Sequence, residues 1–169
     1  MNDSAFDVLY TKALNKLNVP ITLLEIKDDE LHLMADKDDE SKEWILPIGV
    51  NTISNFFMHI PPTWAEIENA INYTEDIIVP LSTKLESGSL LVSFTPDLFR
   101  IVESYDKDAT SPYKMSIEQV ESIFSRWGFL VSGRPFTTDT LPEDLRFAAF
   151  LLLLREVMHH LGFNSIIIN

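Results

Sequence analysis

Hydrophobic positions recur along this chain with two different periods, and the switches between them predict a domain of mixed type. In "SAFDVLYTKALNKL", residues 4 to 17, Phe6, Leu9, Tyr10, Ala13 and Leu17 fall on one stripe at helical spacing. Asp3 or Ser4 is placed to cap that helix, and Asn18 to Pro20 stops it. The runs "ITLLEI", "LHLM" and "EWILPI" follow, separated by the polar stretches "KDDE" and "ADKDDESK". They predict a three-stranded antiparallel meander with polar loop tips. Pro47 belongs near a strand end or on an edge, because it cannot donate to a ladder.

The segment "IPPTWAEIENAINYTEDIIVP" is the best punctuated in the chain. Thr63 followed three residues later by Glu66 is a capping box, Trp64, Ile67, Ile71 and Ile78 form an apolar stripe, and Pro80 ends or kinks the helix. "SLLVSF" predicts a buried strand. Thr95-Pro96-Asp97 then opens a short helix with Leu98, Ile101, Val102 and Tyr105 on one face, and "DKDATSPY" is a loop. Ser116 with Gln119 starts a further helix that turns Ile117, Val120, Ile123, Phe124 and Trp127 inward, with Gly128 or Gly133 at its far side. Thr140 with Glu143 predicts a third capping box, the start of a long helix ending at Leu161, and "NSIII" predicts a last strand. The expected fold class is α+β: a single domain over residues 1 to 169, an antiparallel β-meander plus four to five helices around one core. A weak subdivision, if present, falls near residues 109 to 112.

Composition narrows what such a domain does. With 169 residues and 46% hydrophobic content the chain buries a core without staples. Cysteine is absent, which removes disulfides, thiolate metal sites and cysteine nucleophiles, and suits a reducing cytoplasm. "MNDSAFDVLY" has no basic run before an apolar one, so no secretory leader is expected there. The longest apolar run, Phe147 to Leu154, falls well short of the ~20 residues a bilayer requires. A formal charge of −13, from 26 acidic against 13 basic side chains, repels phosphate backbones and anionic lipid. Nucleic acid and membrane are therefore not expected partners.

Most catalytic signatures are missing. The five glycines, at 49, 88, 128, 133 and 162, form neither a Gly-x-Gly pattern nor a P-loop, and there is no Gly-x-Ser-x-Gly elbow. "ADKDDESKE" lacks the central glycine of a calcium loop. Glu118 and Glu121 make a Glu-x-x-Glu pair without a second acidic helix, and Arg134 is a lone fork for an anion or a carboxylate.

One stretch does raise a chemical question. In "LLLLREVMHHLGF", Glu156 is three residues from His159 and four from His160, so either pair can meet on a helix surface. A metal site joining His59, Glu156, His159 and His160, with Glu68 or Glu75 as base, is one reading. The plainer one is a helix end: Val157, Met158 and Leu161 face the core, the histidines oppose the dipole in the last turn, and Gly162 and Phe163 form a Schellman ending.

The functional expectation is a non-catalytic protein-binding module, adaptor or chaperone-like, without a cofactor, whose partner is another protein or a second copy in a homodimer. Phe56 and Phe57 in "NTISNFFMHI" are its expected apolar partner-binding positions. The rival is the metal-binding protein or metal-dependent enzyme just outlined.

Overall fold

Alternate side chains of one strand enter two different apolar layers, and the architecture follows from that. In this computed structural model, which describes residues 5–17, 19–37, 40–85, 88–135 and 139–169, the strand is β1 (Ile21–Ile26). Ile21 and Leu23 join Met34 and Val92 under Tyr10 and Ala13 of helix α1 (Ala5–Leu17). Leu24 and Ile26 point the other way, into the main core. A strand buried on both faces has to sit inside a sheet with helices on each side, and β1 does.

β2 (Leu31–Lys37) and β3 (Glu40–Leu46) complete the expected meander, β1 with β2 and β2 with β3 both antiparallel. On the other side of β1 lie β4 (Leu90–Ser93), parallel to it, then β6 (Ser165–Ile168), parallel to β4, and finally β5 (Tyr113–Ser116), antiparallel to β6. The six strands run in the order β3-β2-β1-β4-β6-β5. The α+β class stands, with a mixed sheet in place of a meander alone. The segments before and after residues 109 to 112 contribute strands to this one sheet.

Six α-helices are present among the described residues. Besides α1 they are α2 (Val50–Ser54), α3 (Trp64–Ile78), α4 (Phe99–Tyr105), α5 (Ile117–Val131) and α6 (Leu145–Leu161). The capping boxes at Thr63/Glu66 and Ser116/Gln119 form as the spacing predicts. The box expected at Thr140 and Glu143 does not. Asp139 Oδ1 accepts the Thr140 and Leu141 amides, and the helix starts later with Asp144 accepting from Phe147 N. The Asp139 side chain turns the chain at Thr140 and Leu141, and Asp144 takes the capping role in place of Thr140. The N-cap expected at Asp3 or Ser4 lies outside the described residues. β5 and α2 carry too few residues to show a period, and neither was legible in the sequence.

α6 is the central helix. Every residue from Phe147 to Leu154 is buried, and α2, α3, α4 and α5 pack around it. Gly162 takes the left-handed conformation at φ 76°, and Phe163 N donates to Met158 O at 2.9 Å, the expected Schellman ending.

The turn after β1 is clamped from below by α2. Val50 N donates to Lys27 O at 3.0 Å and Asn51 N to Asp28 O at 2.7 Å. This brings Gly49 so close that a Cβ there would sit 2.5 Å from Asp28 O. Gly49→Ala should therefore destabilise the fold by about 1–3 kcal/mol, the usual cost of overpacking. Urea unfolding should show a lower midpoint with an unchanged slope.

Candidate functional site

The carboxyl ends of parallel strands are where open sheets gather ligands, because the connections diverge there and leave a crevice. In this chain that edge is formed by the ends of β1, β4 and β6, which are tied together by polar atoms. Ser93 Oγ donates to Leu24 O at 2.8 Å, Ile26 N donates to Thr95 Oγ1 at 3.1 Å, and Asn169 N donates to Ser93 O at 3.0 Å. Ser93 and Thr95 are buried, so these bonds fix the strand ends against one another.

Above them stands a charged group assembled from three elements. Arg146, in the first turn of α6, donates from Nη1 to Asp28 Oδ1 at 2.8 Å and from Nη2 to Asp97 Oδ2 at 3.1 Å. Asp28 follows β1 and Asp97 follows β4. The two hydrogen bonds hold the Arg146 guanidinium even further above the physiological range than usual, the one to Asp28 weighing most. Arg100 pairs with the α6 cap Asp144 on the same side. All these side chains are partly open to water. The arrangement therefore offers two carboxylates and a rigid cationic fork to a ligand. No sequence spacing connects residues 28, 97 and 146, so this group was invisible before the fold.

The opposite end of α6 holds the residues that the sequence singled out. Glu75 of α3, Glu156 and His160 place one donor atom each within 4.8 Å of one another. His160 Nε2 is 3.0 Å from Glu75 Oε1 and 3.0 Å from Glu156 Oε2. The second oxygen of Glu156 takes Arg155 Nη1, while Arg155 Nε reaches both oxygens of Glu121 at 3.1 Å and its guanidinium lies 4.5 Å from the Phe124 ring centre. Glu156 is fully buried, and that burial pushes its carboxyl above the usual range against the pull of Arg155.

His159 and His59 do not join this group. His159 is exposed, with Nδ1 4.0 Å from Glu121 Oε1. His59 Nδ1 is 2.8 Å from Glu66 Oε1 at the start of α3, nine residues or roughly 13 Å along the helix from Glu75. Glu68 is exposed and takes no part either.

Phe57 is inside the core with its ring 6.2 Å from that of Trp127, and Phe56 is half-buried with its ring 5.3 Å from Tyr73. The exposed apolar side chains nearby are Met58, Ile60 and Trp64. Arg134 lies over the Phe129 ring at 4.7 Å.

No protein-family model and no curated protein matches the chain. Solved structures do. Two of the Aquifex aeolicus Ppx/GppA protein, one described as a family member and one as the type II variant of the phosphatase, superpose with a TM-score of 0.73. Identity is 14% and 15%, and 95% of this chain is covered in each case. An exopolyphosphatase-like protein superposes with a TM-score of 0.68 at 12% identity over 94% of this chain.

This chain shares its fold with part of the Ppx/GppA proteins. It spans just over half of those chains, 56%, 57% and 59% of them in turn. The expectation of a non-catalytic adaptor or chaperone-like module, and with it the protein-interaction role, is corrected by this finding. Strong folding signals without a catalytic motif had suggested a binding module; the fold is instead shared with proteins described as a phosphatase and an exopolyphosphatase-like protein. Among the described residues no helix is long and apolar enough to cross a membrane.

The His59 contact carries a pH signature. Burial alone would raise the Glu66 carboxyl, but hydrogen bonds from Thr63 N, His59 and Met58 N bring it from 4.5 down to about 2. A depressed carboxyl contributes stability that is present above its unfolded value and disappears as pH falls through the folded one. Wild type should therefore lose stability between pH 4.5 and about 2 more steeply than Glu66→Gln, as read from urea midpoints across that range.

Proposed function

We propose that this chain is a hydrolase domain acting on phosphate monoesters or phosphoanhydrides, with its substrate across the carboxyl ends of β1 and β4. A fold by itself hosts many chemistries, so the residues at that edge must bear the argument. The observation that carries it is the Asp28–Arg146–Asp97 group, drawn from three elements to the edge where sheets of this kind bind ligands. The names of the structural neighbours, phosphatase and exopolyphosphatase-like protein, supply the substrate class.

The chemistry is consistent with that class. Neither strand end carries a glycine, and Pro96 has no amide hydrogen, so a phosphate is held by side chains rather than by a backbone cradle. Arg146 presents a planar fork that matches two phosphoryl oxygens and offsets the charge that builds on them during transfer. Asp28 and Asp97 are hard oxygen donors suited to a magnesium ion or to orienting a water for attack. Ser93 and Thr95 keep the two strand ends at a fixed separation beneath them. A cytoplasmic setting belongs to the same proposal and rests on the cysteine-free composition.

The test is phosphate release from p-nitrophenyl phosphate and from inorganic polyphosphate with magnesium present. Arg146→Ala should lower turnover about 10²–10³-fold, as loss of one charge-stabilising donor does. Asp97→Asn should also lose activity, and Arg134→Ala should not. No release from either substrate, or full activity in Arg146→Ala, would overturn the reading.

A further inference from the structure

Two histidines in this fold each face two carboxylates, but in different ways. His32 uses both ring nitrogens, with Nε2 2.9 Å from Glu30 Oε2 and Nδ1 3.2 Å from Glu43 Oε1. Each of those carboxylates has a ring nitrogen to itself. His160 turns a single nitrogen, Nε2, toward both Glu75 Oε1 and Glu156 Oε2, at 3.0 Å each. That nitrogen carries at most one hydrogen. A straight hydrogen bond to one carboxylate leaves the other without a proton.

A cation at the meeting point serves all three donors at once. Zinc holds imidazole nitrogen and carboxylate oxygen at about 2.0–2.2 Å, which sets neighbouring tetrahedral ligands roughly 3.3 Å apart. The two separations of 3.0 Å are within a few tenths of an ångström of that edge. Imidazole nitrogen and carboxylate oxygen are both zinc donors, and three protein ligands leave a fourth tetrahedral position open, whereas calcium and magnesium take oxygen.

The surroundings agree. Glu75, Glu121 and Glu156 together bring three negative charges against one from Arg155, so with a neutral imidazole the group has the net charge that neutralises a divalent ion. Arg155, itself gripped by Glu121, fixes the far oxygen of Glu156 and so aims the near one, as supporting residues around metal ligands do. Glu156 is fully buried, while Glu75 and His160 are only partly covered, which leaves a way in.

We propose that Glu75, Glu156 and His160 bind one divalent transition-metal ion, zinc in preference to magnesium or calcium, which fastens α3 to the end of α6. The site is separate from the hydrolase edge, since His160 lies fourteen residues, or roughly 21 Å, along α6 from Arg146. It uses Glu156 and His160 of the four positions that the sequence suggested and replaces the other two with Glu75.

The full chain, stripped with chelator and dialysed, is titrated with zinc against a chromogenic chelator and with cobalt by visible absorption. The expected result is one equivalent of either metal, a tetrahedral cobalt spectrum, and a zinc-dependent rise in Tm. Glu75→Gln and His160→Gln should each weaken zinc by more than the ~10–100-fold that loss of a mere supporting residue costs. His159→Gln should bind as wild type. The proposal is overturned if wild type takes up neither metal, if Glu75→Gln binds as wild type, or if His159→Gln loses as much as His160→Gln. Glu75 is partly exposed on α3, so its variant keeps the test valid even where His160→Gln perturbs the helix end. Metal uptake is read without any turnover assay, so its failure leaves the phosphate-release test standing.

Discussion

Complete burial of α6 is the constraint on which the rest of this structure depends. Its side chains from Phe147 to Leu154 are apolar on all sides, and a helix of that kind is stable only where neighbours cover its whole circumference. The sheet covers one side, and α2 to α5 close the others. Each buried Leu or Phe in such a stretch contributes about 1.5–3 kcal/mol relative to leaving it in water.

A helix with an apolar middle must place its polar groups at the ends. At the amino end Asp144 caps the first turn and Arg146 reaches out to Asp28 and Asp97. At the carboxyl end Arg155, Glu156 and His160 meet Glu121 and Glu75. Both candidate sites thus belong to one helix. The apolar stretch between them acts as a rigid spacer that sets their separation and keeps each fixed against the elements it faces.

Charge makes sense in the same frame. The surplus of acids is a property of the surface, but two arginines each stand between a pair of acids that would otherwise repel, Arg146 between Asp28 and Asp97 and Arg155 between Glu121 and Glu156, while Arg126 and Arg100 each pair with one aspartate. On a chain with a net negative charge, these arginines set the local electrostatics of each acidic group rather than the overall field.

The sequence by itself determined the local elements. Helical side-chain period, two capping boxes and the Gly162 ending depend on neighbours a few residues away, and those are written in the chain. It also pointed to Glu156 and His160, because a spacing of four is a helical turn. Tertiary structure decided the rest. β5 has four residues and no period of its own, so only pairing with β6 makes it a strand. The same is true of the capping choice at Asp144, where a partner forty-four residues away, Arg100, holds the side chain. The parallel pairing of β1 with β4, the arrival of Glu75 beside His160, and the meeting of Asp28, Asp97 and Arg146 join positions many tens of residues apart. Contacts of that range leave no periodic trace in one sequence, since they are set by how buried faces are shared between elements and not by any spacing along the chain.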